Sequence, residues 1–147
     1  MRSEDILKSF IDIVQLSQAI NKKGFEDIYD GLNINEVHTI DYIGNNNSPN
    51  VTSISSSLNI TRGGATKITK KLIAKEYIVE YKIEENKKEK YFRLTECGQE
   101  IFIKHEKEHE EALKRDSKLF DIFTEEEKII IMKFLDTLKS DMKEKLI

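Results

Sequence analysis

The sequence has one cysteine and one proline in 147 residues, and no apolar run approaches the length of a membrane span. Each shortage excludes something. A lone Cys97 cannot close an internal disulfide, which agrees with a reducing compartment. Without about 18–20 consecutive apolar residues there is no candidate transmembrane helix. The start, Met1-Arg2-Ser3-Glu4-Asp5, turns acidic at once and lacks the uninterrupted apolar stretch of a secretory signal, so a cytoplasmic location is expected. No internal repeat, low-complexity tract or linker interrupts the chain, and residues 1–147 are expected to form one domain. A chain of this length buries about 68–70% of its unfolded surface.

The net charge of -3 hides a strong asymmetry. Residues 1–50 carry 4 basic and 8 acidic side chains, residues 51–95 carry 10 and 5, and residues 96–147 carry 10 and 14. The middle third is a basic island between acidic flanks. Clustering of one sign matters more for nucleic acid than the total does, although a solvated face also clusters charge.

Periodicity then places the elements. Ile6, Phe10, Ile13, Val14 and Ile20 fall near helical spacing and predict a helix over 3–21, broken by Asn21-Lys22-Lys23-Gly24. A second helix starts near Asn33, with Glu36 completing a capping box. It runs through Val37, Ile40 and Ile43 to the loop Gly44-Asn45-Asn46-Asn47-Ser48-Pro49-Asn50, which holds the only proline. A short helix over 51–58, a turn at Asn59-Ile60 and a helix over 62–75 capped by Thr61 make a helix-turn-helix unit. Tyr77 to Ile83 alternates and is rich in β-formers. Glu84 to Glu89 reads as a charged tip and Lys90 to Leu94 as the returning strand, a hairpin without the Asn-Gly or Asp-Gly that would fix its turn. A long helix is expected over roughly 96–120, and Thr124 with Glu127 forms a second capping box that opens the last helix. The fold class is therefore mainly α with a small β-hairpin, a winged helix-turn-helix lobe at about 33–95 flanked by helices at about 1–22 and 96–147.

This order points to DNA. The polar face of helix 62–75 carries Arg62, Gly63, Thr66, Lys67, Lys70 and Lys71. Small residues in its first turn allow a close backbone approach to a duplex. Arg62 and Thr66 suit base edges in the major groove. Lys67, Lys70 and Lys71 suit phosphates, which position a protein without specifying sequence. Thr61 stands at the same helix start. Lys87, Lys88 and Lys90 on the hairpin are placed for the backbone or minor groove alongside.

The ordered set resembles the MarR family of bacterial transcriptional regulators. Leu32 to Glu36 resembles the approach to the family's second helix, Val51 to Ser55 that to its third, Thr61 to Leu72 its recognition helix, and Arg93-Leu94-Thr95-Glu96-Cys97-Gly98 its strand-to-helix junction, usually Leu-Thr-x-x-Gly. Asn86 and Lys88 stand where the family's wing usually has Asp and Arg, and lysine lacks the planar fork of arginine. The resemblance implies a homodimer built from the first helix and the last two. Leu119, Phe120, Ile122, Phe123, Ile129, Ile130, Ile131, Phe134 and Leu135 supply more apolar surface there than one lobe needs. A two-fold dimer would read a pseudo-palindromic operator with half-sites about 10–10.5 bp apart, and a repressor is expected.

The histidines admit several readings. His105 and His109 are four apart on a predicted helix and share a face, the spacing of two imidazoles on one zinc ion. His105-Glu106-Lys107-Glu108-His109 also matches the H-E-x-x-H motif of zinc proteases. Charged Lys107 and Glu108 and the lack of a later histidine speak against that enzyme. Set against the zinc-responsive branch of the MarR family, His38, His105 and His109 fall where that branch keeps histidine ligands, with Glu26, Asp27 or Asp30 as an acidic complement. Val37 replaces a carboxylate of its second site. Zinc is then an effector, not a required cofactor. The other effector reading is a small aromatic or anionic ligand in a crevice near Tyr42, Phe102 and the histidines. Cys97 near a helix start is a candidate redox switch, although redox-sensing relatives carry their cysteine near the chain start.

Overall fold

The computed structural model describes residues 1–22 and 25–146, so Lys23 and Gly24 of the expected break, and Ile147 of the expected last helical region, lie outside the described residues. The chain divides into two compact units, Met1–Glu106 and Lys107–Ile147.

The first unit opens with α1 (Ser3–Lys22) and a short α2 (Phe25–Ile28) that periodicity does not reveal, because four residues make barely one turn. Then come α3 (Ile34–Asn45), α4 (Val51–Leu58) and α5 (Arg62–Ala74). Asn33 caps α3 in a reciprocal box with Glu36, as expected. Asn50 does the same for α4 with Ser53. Two of the first turn's orphan N–H groups are thereby satisfied in each helix. The expected turn is real: Asn59 ends α4 in the left-handed region (φ 53°), which Asn tolerates better than most residues.

The hairpin pairs β1 (Ile78–Ile83) with β2 (Asn86–Leu94) antiparallel. Here the structure corrects the sequence reading. The turn is only Glu84-Glu85, and Lys87, Lys88 and Glu89 belong to β2 rather than to a long charged tip. Neither turn residue has a positive φ, so the turn is not of the primed kind that matches strand twist. An irregularity compensates: Tyr81 faces Tyr91 and Ile83 faces Asn86, so five steps of β2 run against two of β1.

The core gathers Leu32, Ile40, Ile54, Leu72 and Ile78, all at 1% exposure or less, with Val37, Ala65, Phe92 and Ile101. Pro49 is buried and its carbonyl accepts from the Phe92 N–H at 3.0 Å, tying the Asn-rich loop to the hairpin.

The Leu-Thr-x-x-Gly junction has a clear physical basis. Thr95 donates from Oγ1 to the Glu76 carbonyl at 2.6 Å and accepts from the Gly98 N–H at 3.1 Å. Gly98 is buried so closely against Tyr77 that a Cβ would overlap the Tyr77 carbonyl oxygen. The hairpin's start and the start of α6 (Glu96–Ser117) are thus knotted together. Burial also pushes the Tyr77 phenol above its ordinary pKa, helped by the nearby Asp30 carboxylate.

In the second unit α6 ends at Ser117 rather than near 120, and a 3-10 helix, Lys118–Ile122, follows. The chain must leave helical geometry to bring Thr124 into the extended conformation (ψ 165°) from which it caps α7 (Glu125–Glu144) with Glu127. None of the residues of α7 is buried.

Candidate nucleic-acid interface

Helix α5 turns Ala65, Thr69 and Leu72 into the core. Counting about 100° per residue, Gly63, Lys67 and Lys70 fall on the opposite side, and Arg62, Gly63, Lys67 and Lys70 are exposed while Thr66 is half-buried. Thr61 spends its hydroxyl on the cap, accepting from the Gly64 N–H at 3.0 Å. A Cβ built on Gly63 would approach nothing in the protein closer than 4.0 Å. Packing therefore does not demand glycine there.

Lys71 differs from its neighbours. Its ammonium lies 2.5 Å from Oε1 of Glu36, whose side chain is 1% exposed. The sequence identifies Glu36 only as a cap partner; no local pattern gives its second bond, because α3 and α5 meet only in the folded unit. Beside this pair runs a groove of about 740 Å³ bordered by Asn21, Phe25, Asn33, Ile34, Lys67 and Lys71.

On the hairpin, Lys87 and Lys88 are exposed. Lys90 is 3.5 Å from the Glu80 carboxylate, an exposed pair of little energetic worth. Arg93, which the sequence reading uses only as a junction marker, sits over the Tyr81 ring at 5.7 Å, and that ring in turn neighbours Tyr91 at 5.8 Å.

His38 meets His105 edge-on with ring centroids 5.6 Å apart. Two carboxylates join His105: Glu106 of the H-E-x-x-H stretch, and Asp41, which the sequence does not single out. Asp41 Oδ1 is 3.1 Å from His105 Nδ1, and one ligand atom each from Asp41, His105 and Glu106 lies within 4.8 Å of the others. The signal was present, since Asp41 follows His38 by three residues and shares its helix face. His109 stands one turn further along α6, in the second unit. Glu26 and Asp27 are exposed on α2, and Asp30 has a positive φ of 53°. Tyr42 and Phe102 pack against the core, and Gly44 makes room for the Phe102 ring, which a Cβ would meet at 2.5 Å. Cys97 is exposed near the start of α6. Among the described residues no helix is long and apolar enough to cross a membrane.

Known proteins share this fold. The MarR family profile matches residues 32–90. The HTH-type transcriptional regulator PchR of Bacillus subtilis (strain 168) is 36% identical over 128 residues, which are 86% of this chain and 76% of that protein. The crystal structure of Streptococcus pneumoniae FabT in complex with DNA superposes with a TM-score of 0.72 at 27% identity, covering 96% of this chain and 95% of that one. That of Lactococcus lactis ZitR, a zinc-responsive MarR family member, superposes with a TM-score of 0.65 at 26% identity, covering 76% of each chain.

Proposed function

We propose, on the premise that this chain belongs to the MarR family of transcriptional regulators, that it is a homodimeric repressor working on DNA in the cytoplasm. The reading is carried by α5, whose basic, exposed side backs onto a fully buried one. Arg62 and Thr66 read base edges, the first turn at Thr61, Gly63 and Gly64 lies against the duplex, and Lys67 and Lys70 hold phosphates. Lys87, Lys88 and Lys90 hold the backbone beside it. The FabT structure with DNA supports a duplex as the partner. The protein is not an enzyme: its curated relatives are transcriptional regulators, and the H-E-x-x-H pentapeptide on α6 is not a protease site.

The dimer is supported by apolar side chains on the terminal helices, among them Ile13, Leu16, Ile129 and Ile130, which are all more than half exposed in the single chain. Such surface on one protomer calls for a partner, and a two-fold pair gives a pseudo-palindromic operator.

Anisotropy of a fluorescent duplex recovered by random-site selection, titrated over a salt series, tests the reading. Tight binding that weakens steeply with salt supports it. Selection that recovers no duplex bound above random DNA overturns it.

A second reading concerns the effector. His105, with His38 beside it, suits zinc, and the Asp41 carboxylate on His105 Nδ1 is the kind of outer partner that orients a metal-bound imidazole, with Nε2 as ligand. The metal would crosslink helices and so bias the spacing of the two recognition helices. Zinc that tightens operator binding in wild type but not in His105→Ala supports this reading. If zinc has no effect, the metal reading falls and a small aromatic or anionic ligand is the effector class to screen.

A further inference from the structure

We propose that Lys71 is a positioning residue and not a phosphate contact: with the buried Glu36 it forms a clamp that sets the recognition helix on α3. The inference rests on the DNA-binding reading above, and it concerns how α5 is aimed.

Both oxygens of the Glu36 carboxylate are engaged. Oε2 accepts from the Asn33 N–H at 3.1 Å, closing the cap of α3. Oε1 takes the Lys71 ammonium at 2.5 Å. The Glu36 side chain is 1% exposed, whereas Lys71 keeps half its surface. A carboxylate so far from water needs a cation and hydrogen bonds around it, and loss of the cation leaves it uncompensated. Lys71 is therefore committed inward by the need of Glu36.

Helical geometry agrees. At about 100° per residue, Lys71 lies about 60° from half-buried Ile68 and about 100° from Lys70, on the flank of α5 facing α3 rather than on its outer side. It also stands nine residues past Arg62, about 13 Å along the axis, while recognition helices read bases with their first turns. Because one carboxylate bonds both the first turn of α3 and the last turn of α5, the two helices share a fixed point at the far end of the reading helix. A small rotation there displaces Arg62 at the near end.

The test uses the full chain and salt-series anisotropy on the selected duplex and on a random one. Lys70→Ala should flatten the salt dependence by about one unit of slope and weaken both duplexes alike, as a phosphate contact does. Lys71→Met should leave the slope unchanged and cut the preference for the selected duplex by roughly tenfold, the scale of one mispositioned base contact. Should Lys71→Met fail to fold because Glu36 is stranded, the neutral pair Glu36→Gln/Lys71→Met carries the same measurement. A flattened slope with preference intact would make Lys71 a phosphate contact and overturn the clamp. So would no change in either quantity. If wild type itself fails to prefer the selected duplex, the DNA-binding reading falls and the clamp with it.

Discussion

The lobe made by α3, α4, α5 and the hairpin hides its apolar side chains, whereas α1 and α7 leave most of theirs in water. Ile40, Ile54 and Leu72 are at 0% exposure, but Ile20 on α1 is at 71% and Ile129 on α7 at 68%. Both regions are amphipathic in sequence. One set of helices is completed by its own chain, and the other leaves an apolar face open for the dimer proposed above. A lobe that must present α5 at a fixed angle gains from a self-sufficient core. In the proposed dimer, helices that join two copies need a face left over.

That contrast can be broken from the lobe side first. Gly98→Ala should have the largest effect, about 3 kcal/mol, because the new Cβ meets backbone at Tyr77 rather than a side chain that can swing away; urea unfolding followed by circular dichroism checks it. Next, Ile130→Glu on the exposed face of α7 should abolish the concentration dependence of Tm and give a monomer in sedimentation, a loss of apparent stability of a few kcal/mol at working concentration. Its helical spectrum should persist. A dimer that survives would locate the interface elsewhere. Gly44→Ala should cost less, about 2 kcal/mol, since the whole Phe102 side chain must shift, but it is a half-buried side chain and not backbone.

The smallest effect concerns pH. Burial holds the Tyr77 phenol protonated, raising its pKa in the folded state. The associated stability is fully present below the ordinary phenol range and is lost as pH rises through the folded value. Tyr77→Phe should thus flatten the alkaline decline of stability, read as urea midpoints on either side of pH 10.

Much of this was legible in the chain because it is local. Capping residues reach only three positions along, so Asn33 with Glu36 and Thr124 with Glu127 mark helix starts wherever the helices end up. The spacing of Ala65, Thr69 and Leu72 turns one side of α5 inward, and the lysines follow on the other. The hairpin was visible as alternation, but not its two-residue turn, because the register was set by an irregularity in β2 that no local residue announces.

The sequence by itself determined the order of the longer helices and the hairpin, the buried and basic sides of α5, and the surplus of apolar residues on the terminal helices. Each depends on periodicity within one element. Only the tertiary structure decided the rest. It paired Lys71 with Glu36 across 35 positions, brought Asp41 to His105 across 64, and pressed Gly98 onto Tyr77. Such contacts are made where helices and strands cross, and a crossing is a property of packing that neither segment carries alone.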